Sequence, residues 1–115
     1  MGSEGGLKLR CKIWVEKDGK PVLGEGGARL LKAIREEGSL SAAASKLNMS
    51  YVFAWEYIQR ITLALGVPVV ETKRGGKRGG GTCLTEAGER LLQLYEEAKR
   101  EVEKTLRRLE ARLTR

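Results

Sequence analysis

The chain has 115 residues, 41% apolar and 32% charged, with 22 Lys and Arg against 15 Asp and Glu for a net charge of +7. That length suits one small domain with room for one added helix. The absence of histidine and the presence of only Cys11 and Cys83 remove the commonest general base, a Cys-rich metal site and a disulfide framework, so neither an enzyme nor a cofactor is expected.

The apolar runs are too short to span a bilayer, and the start, MGSEGGLKLR, has no signal-peptide core. A reduced, cytoplasmic protein without membrane contact is expected. Fourteen Glu against one Asp, with one Asn and two Gln, is a composition found in heat-stable proteins.

Residues 7–16, LKLRCKIWVE, alternate with Leu7, Leu9, Cys11, Ile13 and Val15 on one face, the pattern of a half-buried antiparallel strand with Cys11 as a small core residue. Asp18-Gly19 marks a turn, and Lys20 to Leu23 returns as a partner strand. From about Gly26 the period becomes helical: Leu30, Leu31, Ala33 and Ile34 form an apolar stripe, and Gly38 is a stop signal. A short second helix is predicted from Ser41, as N-cap, through Ala42–Ala44 to Leu47. Asn48-Met49-Ser50 turns the chain, and Ser50 caps a third helix that ends before Gly66, with Ala54, Ile58, Ile61 and Leu65 facing the core.

Residues 67–72 and 82–84 then read as paired strands around a glycine-rich tip. Thr85 is the predicted cap of a last helix on which Leu91, Tyr95, Ala98, Val102, Leu106 and Leu109 recur at steps of three and four. At 1.5 Å per residue this helix extends ~40 Å, more than a domain this small covers, so the stripe is expected to form the seam of a homodimer.

The order is that of a winged helix-turn-helix: α+β, mostly α, with an N-terminal β-hairpin and a long C-terminal dimerisation helix. Residues 7–84 would form the DNA-binding domain and residues 85–115 the dimerisation helix. Charge supports a polyanionic partner. Residues 73–84, KRGGKRGGGTCL, carry four basic groups, no acid and five of the fifteen glycines, more than half of the net charge in twelve residues.

The glycines do not make a nucleotide loop, because Gly76-Lys77 is preceded at the required offset by Glu71 and followed by Arg78. They suit backbone that approaches phosphates closely. Lys73, Arg74, Gly75, Gly76, Lys77, Arg78, Gly79 and Gly80 are therefore candidate DNA contacts. On the third helix the outward candidates are Ser50, Tyr51, Trp55, Glu56 and Gln59, for orientation and base readout. The first turn of that helix is poor in charge. Two other roles fit the same residues: an architectural protein that coats DNA without sequence preference, and a protein-docking module using the Tyr51–Phe53–Trp55 surface.

The segments GSLSAAASKLNMSYVFAWEYIQRI and VVETKRGGKRGGGTCLTEAGERLLQLYEEA resemble the N-terminal DNA-binding domain of molybdate-responsive ModE regulators, relatives of the LysR-type winged helices. The Ser-Ala-Ala-Ala run at 41–44, Met49-Ser50-Tyr51 and Ala54-Trp55 are similar to that family's helix-turn-helix. The glycines at 75–76 and 79–81 are similar to its wing, and Leu84-Thr85, Gly88, Arg90-Leu91 and Leu94-Tyr95 to the helix after it. The resemblance covers residues 7–100 and implies a homodimeric regulator with its recognition helix and wing on double-stranded DNA. Val52 and Phe53 stand where the family usually carries basic residues. The sequence stops at Arg115, before the family's molybdate-binding domains, so no molybdate site is expected within this chain.

Overall fold

The computed structural model describes residues 6–73 and 81–113. Along the chain run β1 (Val15–Lys17), β2 (Lys20–Leu23), α1 (Glu25–Glu37), α2 (Leu40–Lys46), α3 (Tyr51–Leu65), β3 (Val70–Lys73), β4 (Gly81–Leu84) and α4 (Glu86–Leu113). The two strand pairs are separate antiparallel hairpins. The mostly helical α+β winged helix-turn-helix expected from the sequence is the architecture observed.

Helix α1 sits at the centre because its stripe is apolar on one side only. Leu30, Leu31 and Ile34 are fully buried, whereas Arg29, Lys32, Arg35, Glu36 and Glu37 face solvent. Helices α2, α3 and α4 and strand β4 all pack on α1. Each of the three large side chains contributes about 1.5–3 kcal/mol by leaving water. Gly38 ends the helix at φ 74°, its N–H donating to the Ile34 carbonyl.

The second helix starts earlier than the sequence predicts. Ser39, not Ser41, is its cap: Ser39 Oγ accepts from the Ala42 N–H at 2.9 Å. Once Gly38 has stopped α1, Ser39 is the first extended residue with a side-chain acceptor, and starting there buries Leu40. Asn48, at φ 58°, turns the chain into α3. Ser50 caps α3 as expected, its Oγ accepting from the Phe53 N–H at 3.0 Å, and Gly66 closes it at φ 96°. Ala54, Ile58 and Ile61 are buried, while Leu65 is only half-buried.

The N-terminal strand is much shorter than its alternation suggests. Only Val15–Lys17 pairs with β2, through a turn in which Asp18 and Gly19 both have positive φ. The register shifts between Val15 and Glu16, and β2 has only four residues, one of them Pro21, so residues 6–14 have no ladder to join. They are held by side chains instead. Leu9 N–H donates to Glu110 Oε2 at 2.5 Å, and Arg107 Nη2 donates to the Leu9 carbonyl at 2.8 Å. Leu9, Ile13 and Val15 are half-buried as the alternation predicts, but Leu7 and Cys11 are exposed, so Cys11 is not a core residue.

The second hairpin and α4 are locked together at Val69. Thr85 caps α4: its Oγ1 accepts from the Gly88 N–H at 3.0 Å and donates to the Pro68 carbonyl at 2.7 Å. The Thr85 N–H donates to the Val69 carbonyl at 3.0 Å. Pro68 and Val69 thus spend their carbonyls on α4, and strand β3 begins at Val70 rather than at residue 67. A Cβ on Gly88 would overlap the Val69 carbonyl, so only glycine fits this approach.

Helix α4 has 28 residues, and its start belongs to the core. Leu91, Leu92 and Tyr95 are buried within the protomer, and burial pushes the Tyr95 phenol above its ordinary pKa. Arg35 of α1 pairs with Glu89 at 3.5 Å and Glu96 at 3.7 Å. From Glu96 onward no described residue is fully buried, and the molecule is drawn out to 58 × 32 × 21 Å. Of the predicted seam, Leu91 and Tyr95 are therefore already enclosed, Ala98 is exposed, and Val102, Leu106 and Leu109 are half-buried.

Two outcomes follow from these contacts. Gly88→Ala should destabilise the fold by about 1–3 kcal/mol through overpacking, although alanine is the better helix former, and this is read as a lower urea midpoint. An unchanged or higher midpoint would mean α4 does not press on Val69. At the other end, the Leu9 N–H, with help from Arg107, holds the Glu110 carboxyl below the usual carboxylate range. The contact is complete above that range and is lost as pH falls through the depressed value. The Leu9 amide resonance should accordingly titrate with a midpoint below the usual carboxylate range, and the Glu110→Gln variant should abolish the transition.

Candidate nucleic-acid interface

Helices α2 and α3 with the turn at residues 47–50 form the helix-turn-helix. Because α3 buries a stripe of only three residues, most of its circumference stays in water. Tyr51, Val52, Phe53, Trp55 and Glu56 are exposed, and Gln59 is half-buried. The candidates Tyr51, Trp55, Glu56 and Gln59 thus share one accessible helix surface. Ser50 stands at its start with its oxygen engaged as the cap acceptor.

This helix carries little charge. Its acid is Glu56 and its base is Arg60, a residue that the sequence reading missed. The Arg60 guanidinium lies 5.1 Å from the ring centroid of Tyr57, a cation–π contact, and Phe53 meets the same ring edge-on at 5.9 Å and 77°. Spacings of three and four between Phe53, Tyr57 and Arg60 are the signal that marks them as helix-surface neighbours. Tyr57 in turn is seated over Gly26, where a Cβ would come within 2.6 Å of its hydroxyl.

Nearby cations are committed elsewhere. Lys46, at the end of α2, pairs with Glu36 at 3.0 Å and Glu37 at 3.4 Å. The hydrogen bond and charge of Glu36 raise the Lys46 pKa, and Lys46 lowers that of Glu36. Lys17 donates to the Leu65 carbonyl at 2.7 Å, at the negative end of α3.

The second hairpin supplies the wing. Its register pairs Val70 with Leu84, Glu71 with Cys83, Thr72 with Thr82 and Lys73 with Gly81. The Thr82 N–H donates to the Gly38 carbonyl at 3.0 Å, and a Cβ on Gly81 would come within 2.8 Å of that oxygen. The base of the hairpin is thereby fixed to the end of α1. Cys83 is half-buried with its Sγ 3.9 Å from Glu71 Oε2. Lys73 is exposed at the last described residue of β3. Arg74, Gly75, Gly76, Lys77, Arg78, Gly79 and Gly80 lie outside the described residues. Among the described residues no group of three or more His, Cys, Asp or Glu could hold a metal ion, and no helix is long and apolar enough to cross a membrane.

The bacterial regulatory helix-turn-helix pattern of the LysR family matches residues 27–89. The chain is 43% identical over 93 residues to the molybdenum-pterin-binding protein MopB of Rhodobacter capsulatus, covering 79% of this chain and 34% of that protein. It is 46% identical over 68 residues to the transcriptional regulator ModE of Haemophilus influenzae, covering 59% and 27%. It is 36% identical over 106 residues to the molybdenum transport protein ModE of Azotobacter vinelandii, covering 92% and 39%. The chain therefore spans about a third of the length of these curated relatives. Among solved structures, the DNA-bound DNA-binding domain of CbnR superposes with a TM-score of 0.56 at 26% identity, covering 73% of this chain and 91% of that one. Full-length LysG of Corynebacterium glutamicum gives 0.57 at 26% identity, over 75% and 28%. The ModE likeness read from the sequence is thus met by named ModE proteins. The chain belongs to the LysR family of bacterial regulatory helix-turn-helix proteins, a family of regulators and not of enzymes.

Proposed function

We propose that the chain is a sequence-specific regulator of transcription that binds double-stranded DNA as a homodimer. The carrying observation is that α3 leaves a broad surface open to solvent while the hairpin bearing the basic segment is hydrogen-bonded to the end of α1, the helix on which α3 also packs. In this reading α3 enters the major groove, and Lys73, Arg74, Lys77 and Arg78 neutralise phosphates. The chain's likeness to CbnR, whose DNA-binding domain is solved in complex with DNA, and to ModE, a transcriptional regulator, supports it. The reading assigns residues 7–84 to DNA and residues 85–115 chiefly to assembly.

Salt dependence measures the wing. Four phosphate contacts in each of two subunits should give a slope of log affinity against log salt near −7, at about −0.9 per contact. Replacing Lys73, Arg74, Lys77 and Arg78 by Ala should flatten most of that slope; an unchanged slope would take the wing off the DNA. In the same assay a regulator should prefer a selected site over random duplex by ~10³ or more. A flat preference would favour an architectural coat, the reading to which the uncharged first turn of α3 lends itself.

The dimer would use the projecting part of α4, with Ala98, Val102, Leu106 and Leu109 toward the second copy. Light scattering at micromolar concentration should give twice the chain mass, and Val102→Glu with Leu106→Glu should give the monomer. A monomeric intact chain would remove the dimer and the expectation of a palindromic site.

A further inference from the structure

We propose that Val52 reads the 5-methyl group of a thymine in the major groove, with Phe53 as its braced apolar neighbour. The inference rests on the DNA-binding reading above and adds the chemistry of its base contact. The first turn of α3 presents Tyr51, Val52 and Phe53 with no charged side chain among them. Val52 lies nearly half a turn around the helix from the buried Ala54, Ile58 and Ile61, and it is 62% exposed. Phe53, 47% exposed, is held edge-on against Tyr57, so its position is set within the protomer.

An apolar surface of this kind gains nothing from a phosphate, and it can neither donate to nor accept from a base edge. The one apolar group that base edges display in the major groove is the thymine methyl, and the N-terminal residues of a recognition helix are those that reach base edges. Continuity with the proposed DNA surface selects this occupant: Val52 lies on the helix face that also carries Glu56 and Gln59, side chains able to accept from cytosine N4 or bridge adenine. The helix would then read sequence without holding the backbone, which is left to the wing.

The test uses the intact chain and the site it enriches from random-sequence duplexes. Each thymine of that site is replaced in turn by deoxyuridine, which lacks only the methyl group. Loss of one buried methyl should weaken binding about fourfold at one thymine of each half-site. Val52→Ala, a change that an exposed helix position tolerates, should weaken binding to the thymine site and remove the penalty for uracil there. No uracil effect at any position, an effect that persists undiminished in Val52→Ala, or a selection without a preferred site would each overturn the assignment while leaving DNA binding intact. Failure of the intact chain to bind any duplex at low salt would instead overturn the DNA-binding reading itself and favour a protein partner for this face.

Discussion

The burial of α1 is the constraint on which the other elements depend. A domain of this size has one core, and Leu30, Leu31 and Ile34 occupy its centre. Every large element solves its own burial problem on this helix: α2 and α3 by their small and β-branched faces, β4 by its last leucine, α4 by Leu91, Leu92 and Tyr95. Only helix stops that leave the chain at the right angle are compatible with that crowding. Gly38 and Gly66 provide them in the left-handed region, where other residues are strained.

Much of this was legible because the punctuation was unambiguous. Gly38, Ser50, Gly66 and Thr85 each mark a helix end for a local chemical reason, and the structure uses all four. The misreadings are of another kind. Alternation in residues 7–16 shows which side of a segment is apolar, but not whether a partner strand exists to pair with it, and β2 is too short to serve. Likewise the stripe on α4 says that Leu91 and Tyr95 turn away from water; it cannot say whether their neighbours belong to the same chain. The cap at Ser39 was missed because two serines lie within reach, and only the position of Gly38 decides between them.

The candidate site was legible in its outer residues and less so in its support. Tyr51, Trp55 and Glu56 are exposed where helical spacing puts them, but Tyr57 was hidden among the apolar residues of α3, and with it the Phe53–Tyr57–Arg60 stack. Lys46 shows the converse. Counted as charge it belongs to the basic surplus, yet Glu36 and Glu37 already neutralise it locally. A net charge is a sum over residues with very different freedom to meet a ligand. In the sequence the positive charge is concentrated at Lys73, Arg74, Lys77 and Arg78, whereas α3 carries a single base, Arg60.

Gly38 ties two measurements together. The same residue ends α1, fixes where α2 can start, and accepts the hydrogen bond that seats β4. Adding one residue to α1 would turn this anchor by about 100° and raise it by about 1.5 Å. Helix-turn-helix and hairpin would then swing together, and α4, locked to the hairpin at Val69, would be pulled from its seat on α1. The length of α1 thus acts as a gauge block: it sets the height and phase of both partner-facing surfaces relative to the core that α1 shares with α4.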